Sequence, residues 1–202
     1  QADPTNASPI NFTVEFSEPV TGFETGDVTL SGTAPGTLTG EVTGSGTTYT
    51  VAVSGMTGTG TVIADIPADV AQNGLGNGNA ASTSTDNTVT YDVTKPTVTI
   101  NQETGQADPT NASPINFTVE FSETVTGFET GDVTLSGTAP GTLTGEVTGS
   151  GTTYTVAVSG MTGTGTVIAD IAADVAQDAA GNTNTASTST DNTVTYDVTK
   201  PT

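Results

Sequence analysis

The 202-residue chain carries 22 acidic and 2 basic side chains, a formal net charge of −20, and has neither cysteine nor histidine. That balance repels nucleic-acid phosphates and anionic lipid headgroups, so nucleic acid is excluded as a partner. Without Cys or His there is no disulfide, no thiolate chemistry and no imidazole base, and no run approaches the ~18 apolar residues of a membrane span or reads as a signal peptide within this segment.

Residues 11–16 alternate strictly, with Phe12, Val14 and Phe16 on one face and Thr13 and Glu15 on the other, as in a half-buried strand. A turn is expected over 17–27, then alternation over 27–30 and a weaker candidate over 38–42. Stronger strands follow at 48–54, with Tyr49, Val51 and Val53 inward, and at 61–66. The last, over 88–93, sets Val89, Tyr91 and Val93 inward. Glycine-rich stretches at 31–36, 44–46, 55–60 and 74–79 are read as the breaks between them. Residues 96–100 form the opening strand of what comes next.

What comes next is the same text again. Residues 1–97 reappear as 106–202, an offset of 105, with seven changes. Five of them fall in one loop: Asn73/Asp178, Gly74/Ala179, Leu75/Ala180, Gly78/Thr183 and Ala80/Thr185. A copied unit of about 100 residues is large enough for its own core, and tandem copies deliver length or valency. The expected organisation is one repeat over 1–94, whose opening strand is absent from the chain, and a second over 95–202, opened by 96–100. The chain therefore reads as a slice of a longer polymer, with a first repeat that borrows a strand or leaves an edge open.

About seven short strands per repeat, at these turn spacings, predict an all-β fold of tandem immunoglobulin-like β-sandwiches. The connection over 91–97 has hardly any slack, and Pro96 holds Lys95 extended, so a short stiff linker is expected.

Three phrases carry a resemblance: Phe16-Ser17-Glu18-Pro19-Val20-Thr21-Gly22-Phe23, Asp178-Ala179-Ala180-Gly181-Asn182 and Asp92-Val93-Thr94-Lys95-Pro96. In this order, at a period near 100 residues, they resemble the bacterial Ig-like repeats of large extracellular adhesins and repetitive surface proteins. The resemblance implies an extracellular spacer, stalk or filament segment, on the cell surface or secreted, that extends a distal binding domain. It also implies joints stiffened by calcium. Its partners would be neighbouring identical repeats and a glycan or protein of a host surface, with no membrane insertion in this segment.

Up-and-down strand order places the acids at the poles, so Asp92 on the linker is expected to meet Glu123, Asp170, Asp174 and Asp178, with Asn182 beside them. A hard cation takes six to eight oxygens, and carboxylates with loop carbonyls supply that kind of ligand. The first repeat has the neutral Asn73 in place of Asp178, so calcium should bind less well there.

Catalysis is not expected: Asp65 and Asp69 lack a cleft and a sugar platform, and Ser17 and Ser54 lack a basic partner. Two other readings remain open. One is an adhesive module that binds a glycan or protein through the 73–80 and 178–185 loops. The other is a fibre subunit completed by strand donation.

Overall fold

Helix formers are scarce and strand formers recur at alternate positions, and the computed structural model, which describes all 202 residues, contains β-elements and no helix. The chain divides into two units, Gln1–Thr94 and Lys95–Thr202.

The first unit contains β1 (Ile10–Thr21), β2 (Thr29–Gly32), β3 (Gly36–Met56), β4 (Gly60–Asp65), β5 (Gln72–Asn73) and β6 (Thr88–Tyr91). They form two antiparallel sheets, ordered β3-β1-β5 and β2-β4-β6. Between them lie Ile10, Val51, Val53, Val62, Val89 and Tyr91.

Three expectations are corrected here. The glycines at 44–46 do not break the chain into two elements, because β3 runs on through them and folds back on itself. Thr39 Oγ1 and Ser54 Oγ lie 3.2 Å apart across the fold. The bend needs glycine: Gly44 has φ 118°, and a Cβ there would stand 2.5 Å from the Thr48 carbonyl oxygen. Nor does the first strand stop at 16. It continues to Thr21 through an irregularity between Glu15 and Val20, which is where Pro19 is tolerated. Val93 does not face inward; it is 39% exposed, because β6 ends at Tyr91.

The second unit contains β7 (Val98–Gln102), β8 (Ile115–Val125), β9 (Val133–Gly137), β10 (Gly141–Met161), β11 (Gly165–Ile171) and β12 (Thr193–Tyr196), in sheets ordered β10-β8-β7 and β12-β11-β9. With the two arms of β10 counted separately it is a seven-stranded β-sandwich of the immunoglobulin-like kind. Its core takes Val98 and Ile100 from β7, Phe117 and Val119 from β8, Val156 and Val158 from β10, and Val167, Ala169 and Val194 from the facing sheet. Each of the Val, Ile and Phe side chains among them, fully buried, contributes roughly 1.5–3 kcal/mol.

At one end of each core three aromatic rings stand edge to face. Phe121, Phe128 and Tyr154 have centroids 5.2–5.9 Å apart, and Phe16, Phe23 and Tyr49 repeat the cluster. The buried Tyr154 hydroxyl donates to the Val125 carbonyl at 3.2 Å, and Tyr49 donates to Val20 at 3.0 Å. These aromatic residues provide the bulk that a disulfide would otherwise provide.

Candidate functional site

The loop over 172–185 of the second unit is organised by an amide that the sequence alone did not single out. Asn184 is fully buried. Its Oδ1 accepts from the backbone N–H groups of Val175 and Ala176 at 2.9 and 2.8 Å, and its Nδ2 donates to the carbonyls of Ala172 and Thr185 at 2.9 and 2.8 Å. Every bonding direction of the amide is used, so the loop is built around it. Asn79 makes the same four bonds in the first unit but stays partly exposed. The signal available in the sequence was an Asn preserved in both copies among changed neighbours.

Inside that loop Asp178 closes a tight turn. Its two carboxylate oxygens accept from the Asn182 backbone N–H at 2.8 Å and from Asn182 Nδ2 at 2.9 Å, and both residues are buried. Gly181, at φ 90°, makes the turn possible. A carboxylate oxygen of Glu123, on β8, lies within 4.8 Å of one from Asp178. This is a pair of hard oxygen donors of the type calcium takes.

Asp170 and Asp174 have other partners. Asp170 Oδ1 accepts from Asn192 Nδ2 at 2.8 Å. Asp174, at φ 65°, accepts from the Thr183 hydroxyl and has Lys95 Nζ 3.8 Å away, both groups being well exposed. In the first unit Asp65 likewise accepts from Asn87 at 2.8 Å.

Asp92 belongs to the first unit, just past β6, where it is held by a clasp of threonines. Its Oδ1 accepts from the Thr94 backbone N–H and from the Thr59 hydroxyl, each at 2.9 Å. The Thr59 hydroxyl oxygen in turn accepts from the Val93 N–H at 3.1 Å and lies 2.7 Å from Thr94 Oγ1. Partial burial acts to raise the Asp92 pKa, but the Thr94 N–H and the two hydroxyls outweigh it and hold the carboxyl below its usual value. Asp197, Thr164 and Thr199 repeat the clasp in the second unit. There the Thr199 N–H and hydroxyl, then Thr164, lower the pKa of the Asp197 carboxyl.

The five clustered differences have local consequences. Where the second unit has Asp178, the first has Asn73, whose Nδ2 donates to Glu18 Oε1 at 3.1 Å. Asn73 Oδ1 accepts from the backbone of Leu75 and Asn77 at 3.0 Å, and this leaves Leu75 89% exposed.

The larger contrast lies along β1. In the second unit β7 pairs antiparallel with β8, setting Val98 opposite Phe121 and Ile100 opposite Val119. On the equivalent side of β1 only the two-residue β5 pairs, at Val20 and Thr21, and no strand lies along Phe12–Phe16. The result is a groove of about 460 Å³ lined by Val14, Phe16 and Val20 on one wall and by residues 80–84 on the other. Phe12, Val14 and Phe16 are only partly buried, whereas Phe117, Val119 and Phe121 are buried.

A family model described as bacterial Ig-like domain matches residues 92–196. Searches of curated proteins and of solved structures each found no match.

Proposed function

Because the chain belongs to the bacterial Ig-like domain family, we propose that it is an extracellular spacer, a stalk segment of a large repetitive surface or secreted protein that holds a distal binding domain at a distance. The observation that carries the reading is that the residues of the connector are tied down one after another, each within its own unit. Asp92, Val93 and Thr94 are clasped to Thr59. Lys95 is paired with Asp174. The Pro96 carbonyl accepts from the Thr185 N–H at 2.9 Å, and the Thr97 N–H donates to Ser122 Oγ at 3.0 Å. A connector of this kind has little entropy left to spend on swivelling.

Calcium belongs to the same proposal. Glu123 and Asp178 would hold it, with Asn182 beside them. Cation binding would offset the repulsion between the carboxylates.

Paired spin labels on cysteines introduced one per unit test the spacer directly, since the chain has no cysteine of its own. A narrow distance distribution is expected, narrower still in calcium. A broad distribution in both conditions would remove the spacer reading. One observation favours a second reading, an adhesive module: Leu75 is exposed at the tip of the variable loop. A glycan array probed with the chain and with its Leu75→Ala variant separates the two, because a spacer binds nothing that depends on Leu75.

A further inference from the structure

We infer that Asn73 is a site of spontaneous covalent modification: its side-chain amide is lost to cyclisation on the Gly74 nitrogen, and water then opens the ring to leave an aspartyl or isoaspartyl residue. The site is independent of the spacer role: it comes from one dipeptide and the turn that holds it.

The chain has two Asn-Gly steps, Asn73-Gly74 and Asn77-Gly78, and both lie in the variable loop of the first unit. The second unit has Asp178-Ala179 and Asn182-Thr183 at those places. A glycine after asparagine leaves its backbone nitrogen open to approach, because no Cβ stands beside it. The fold does not demand glycine at 74. Its φ is not positive and a Cβ there would meet nothing within 4 Å, so alanine fits, as it does at Ala179.

The turn prepares Asn73 for the reaction. Its Oδ1 accepts from the Leu75 and Asn77 N–H groups, both at 3.0 Å, while the intervening Gly74 N–H takes part in none of the turn's hydrogen bonds. When the Gly74 nitrogen attacks Cγ, an N–C bond forms and negative charge gathers on Oδ1, where two donors already stand as in an oxyanion hole. The Cγ–Nδ2 bond then breaks, and the proton given up by the Gly74 nitrogen leaves with the amide as ammonia. The product is a five-membered succinimide. Water that cleaves its Cγ–N bond gives aspartate with the backbone intact, and water that cleaves the other C–N bond gives isoaspartate, with the backbone routed through Cγ.

Asn77 provides the internal contrast. Its side-chain carbonyl has no such pair of donors, and a Cβ on Gly78 would collide with the Asp69 carboxylate. A negative charge therefore already stands beside the nitrogen that would have to give up its proton. At Asn73 the aspartyl product matches the second unit, where Asp178 Oδ1 accepts from the Asn182 N–H at 2.8 Å as Asn73 Oδ1 accepts from Asn77. It also replaces the donor to Glu18 by a like charge. The isoaspartyl product adds a backbone atom within β5 and breaks its pairing with Val20. Either product turns a neutral loop into a charged one as the protein ages.

The test holds the full chain at mildly alkaline pH in water enriched in heavy oxygen, and follows it by peptide mapping with mass spectrometry and by isoaspartate-specific methylation. Residue 73 should exchange its amide for a heavy oxygen ahead of residue 77, with isoaspartate among the products. A Gly74→Ala chain, whose added methyl meets open space, should lose the conversion at 73 and keep that at 77. Unfolding in urea should bring the two rates together, because the turn is what favours Asn73. The proposal is overturned if Asn73 stays intact, if Asn77 converts as fast or faster in the folded chain, if Gly74→Ala converts at 73 as fast as the parent, or if the preference for 73 persists in urea.

Discussion

Phe12 and Phe117 are the same residue in the same sentence of sequence, yet one is partly exposed and the other fully buried. Their own strands are alike: β1 pairs with β3 as β8 pairs with β10, in the same register. The difference is β7, which covers β8 and has no counterpart along β1. Burial is thus a property of the neighbourhood, and the burial of one inward face depends on a strand some 20 residues away in sequence.

The strongest way to break this comparison is to truncate the paired phenylalanines. Phe117→Ala should cost about 3–5 kcal/mol, the range for a fully enclosed ring, and Phe12→Ala roughly half of that, since its ring is already partly wet. Urea denaturation, with hydrogen exchange to report each unit separately, measures both. Equal costs would mean that the covering strand is irrelevant to β1.

Next in size are the two loop amides. Asn184→Ala leaves the N–H groups of Val175 and Ala176 buried without their acceptor, and should cost about 2–3 kcal/mol. Asn79→Ala removes the same bonds at a wetter site and should cost less, with thermal unfolding as the measurement. Reversal of that order would detach the loop's stability from its burial.

A smaller effect, loss of a calcium response in one unit and gain of one in the other, follows from exchanging the residues at 73 and 178. Asp178→Asn should abolish any rise in melting temperature with calcium, because a ligand specific to the folded state must raise it. Asn73→Asp replaces the amide donor to Glu18 by a like charge. It should lower stability by about 0.5–1 kcal/mol at low ionic strength, a loss that salt or calcium relieves. Differential scanning fluorimetry with calcium and with a chelator reads both variants.

The smallest effect concerns the clasps. Asp92 and Asp197 both have lowered folded-state pKa values. Their contribution is therefore fully present above the unfolded carboxylate value of about 4, and is lost as pH falls through the folded value. Thr59→Ala should move the Asp92 carboxyl upward while Asp197 stays in place, which a carboxyl-resolved NMR titration would show. Both groups are largely exposed, so the accompanying change in stability is slight.

The alternation of Phe12, Val14 and Phe16, and of Tyr49, Val51 and Val53, was enough to read strands and an all-β sandwich, and the resemblance to the family lay in three phrases repeated in order. Period-two patterning reports which face a residue occupies. It does not report what lies across that face, which the register of β7 on β8 shows. Glycine is ambiguous in the same way. At Gly44 it lets β3 fold back without ending it, and only the carbonyl 2.5 Å from its missing Cβ reveals this. Among the acids, residue type alone could not separate Asp178, turned onto Asn182 near Glu123, from Asp170 and Asp174, which are engaged by Asn192 and by Thr183 and Lys95. In the sequence Thr59 is one of several alternate threonines that read as outward strand residues; its hydroxyl, bridging Asp92 and Val93, sets it apart only in the structure.

The threonine clasp occurs once per copy and is assembled wholly from residues of that copy. Recombination between such similar stretches can therefore add or drop whole units without cutting through a fastening. On the spacer proposal, a change in copy number would alter how far such a protein reaches while every local geometry stays as it was, so reach becomes a trait that selection can tune in steps.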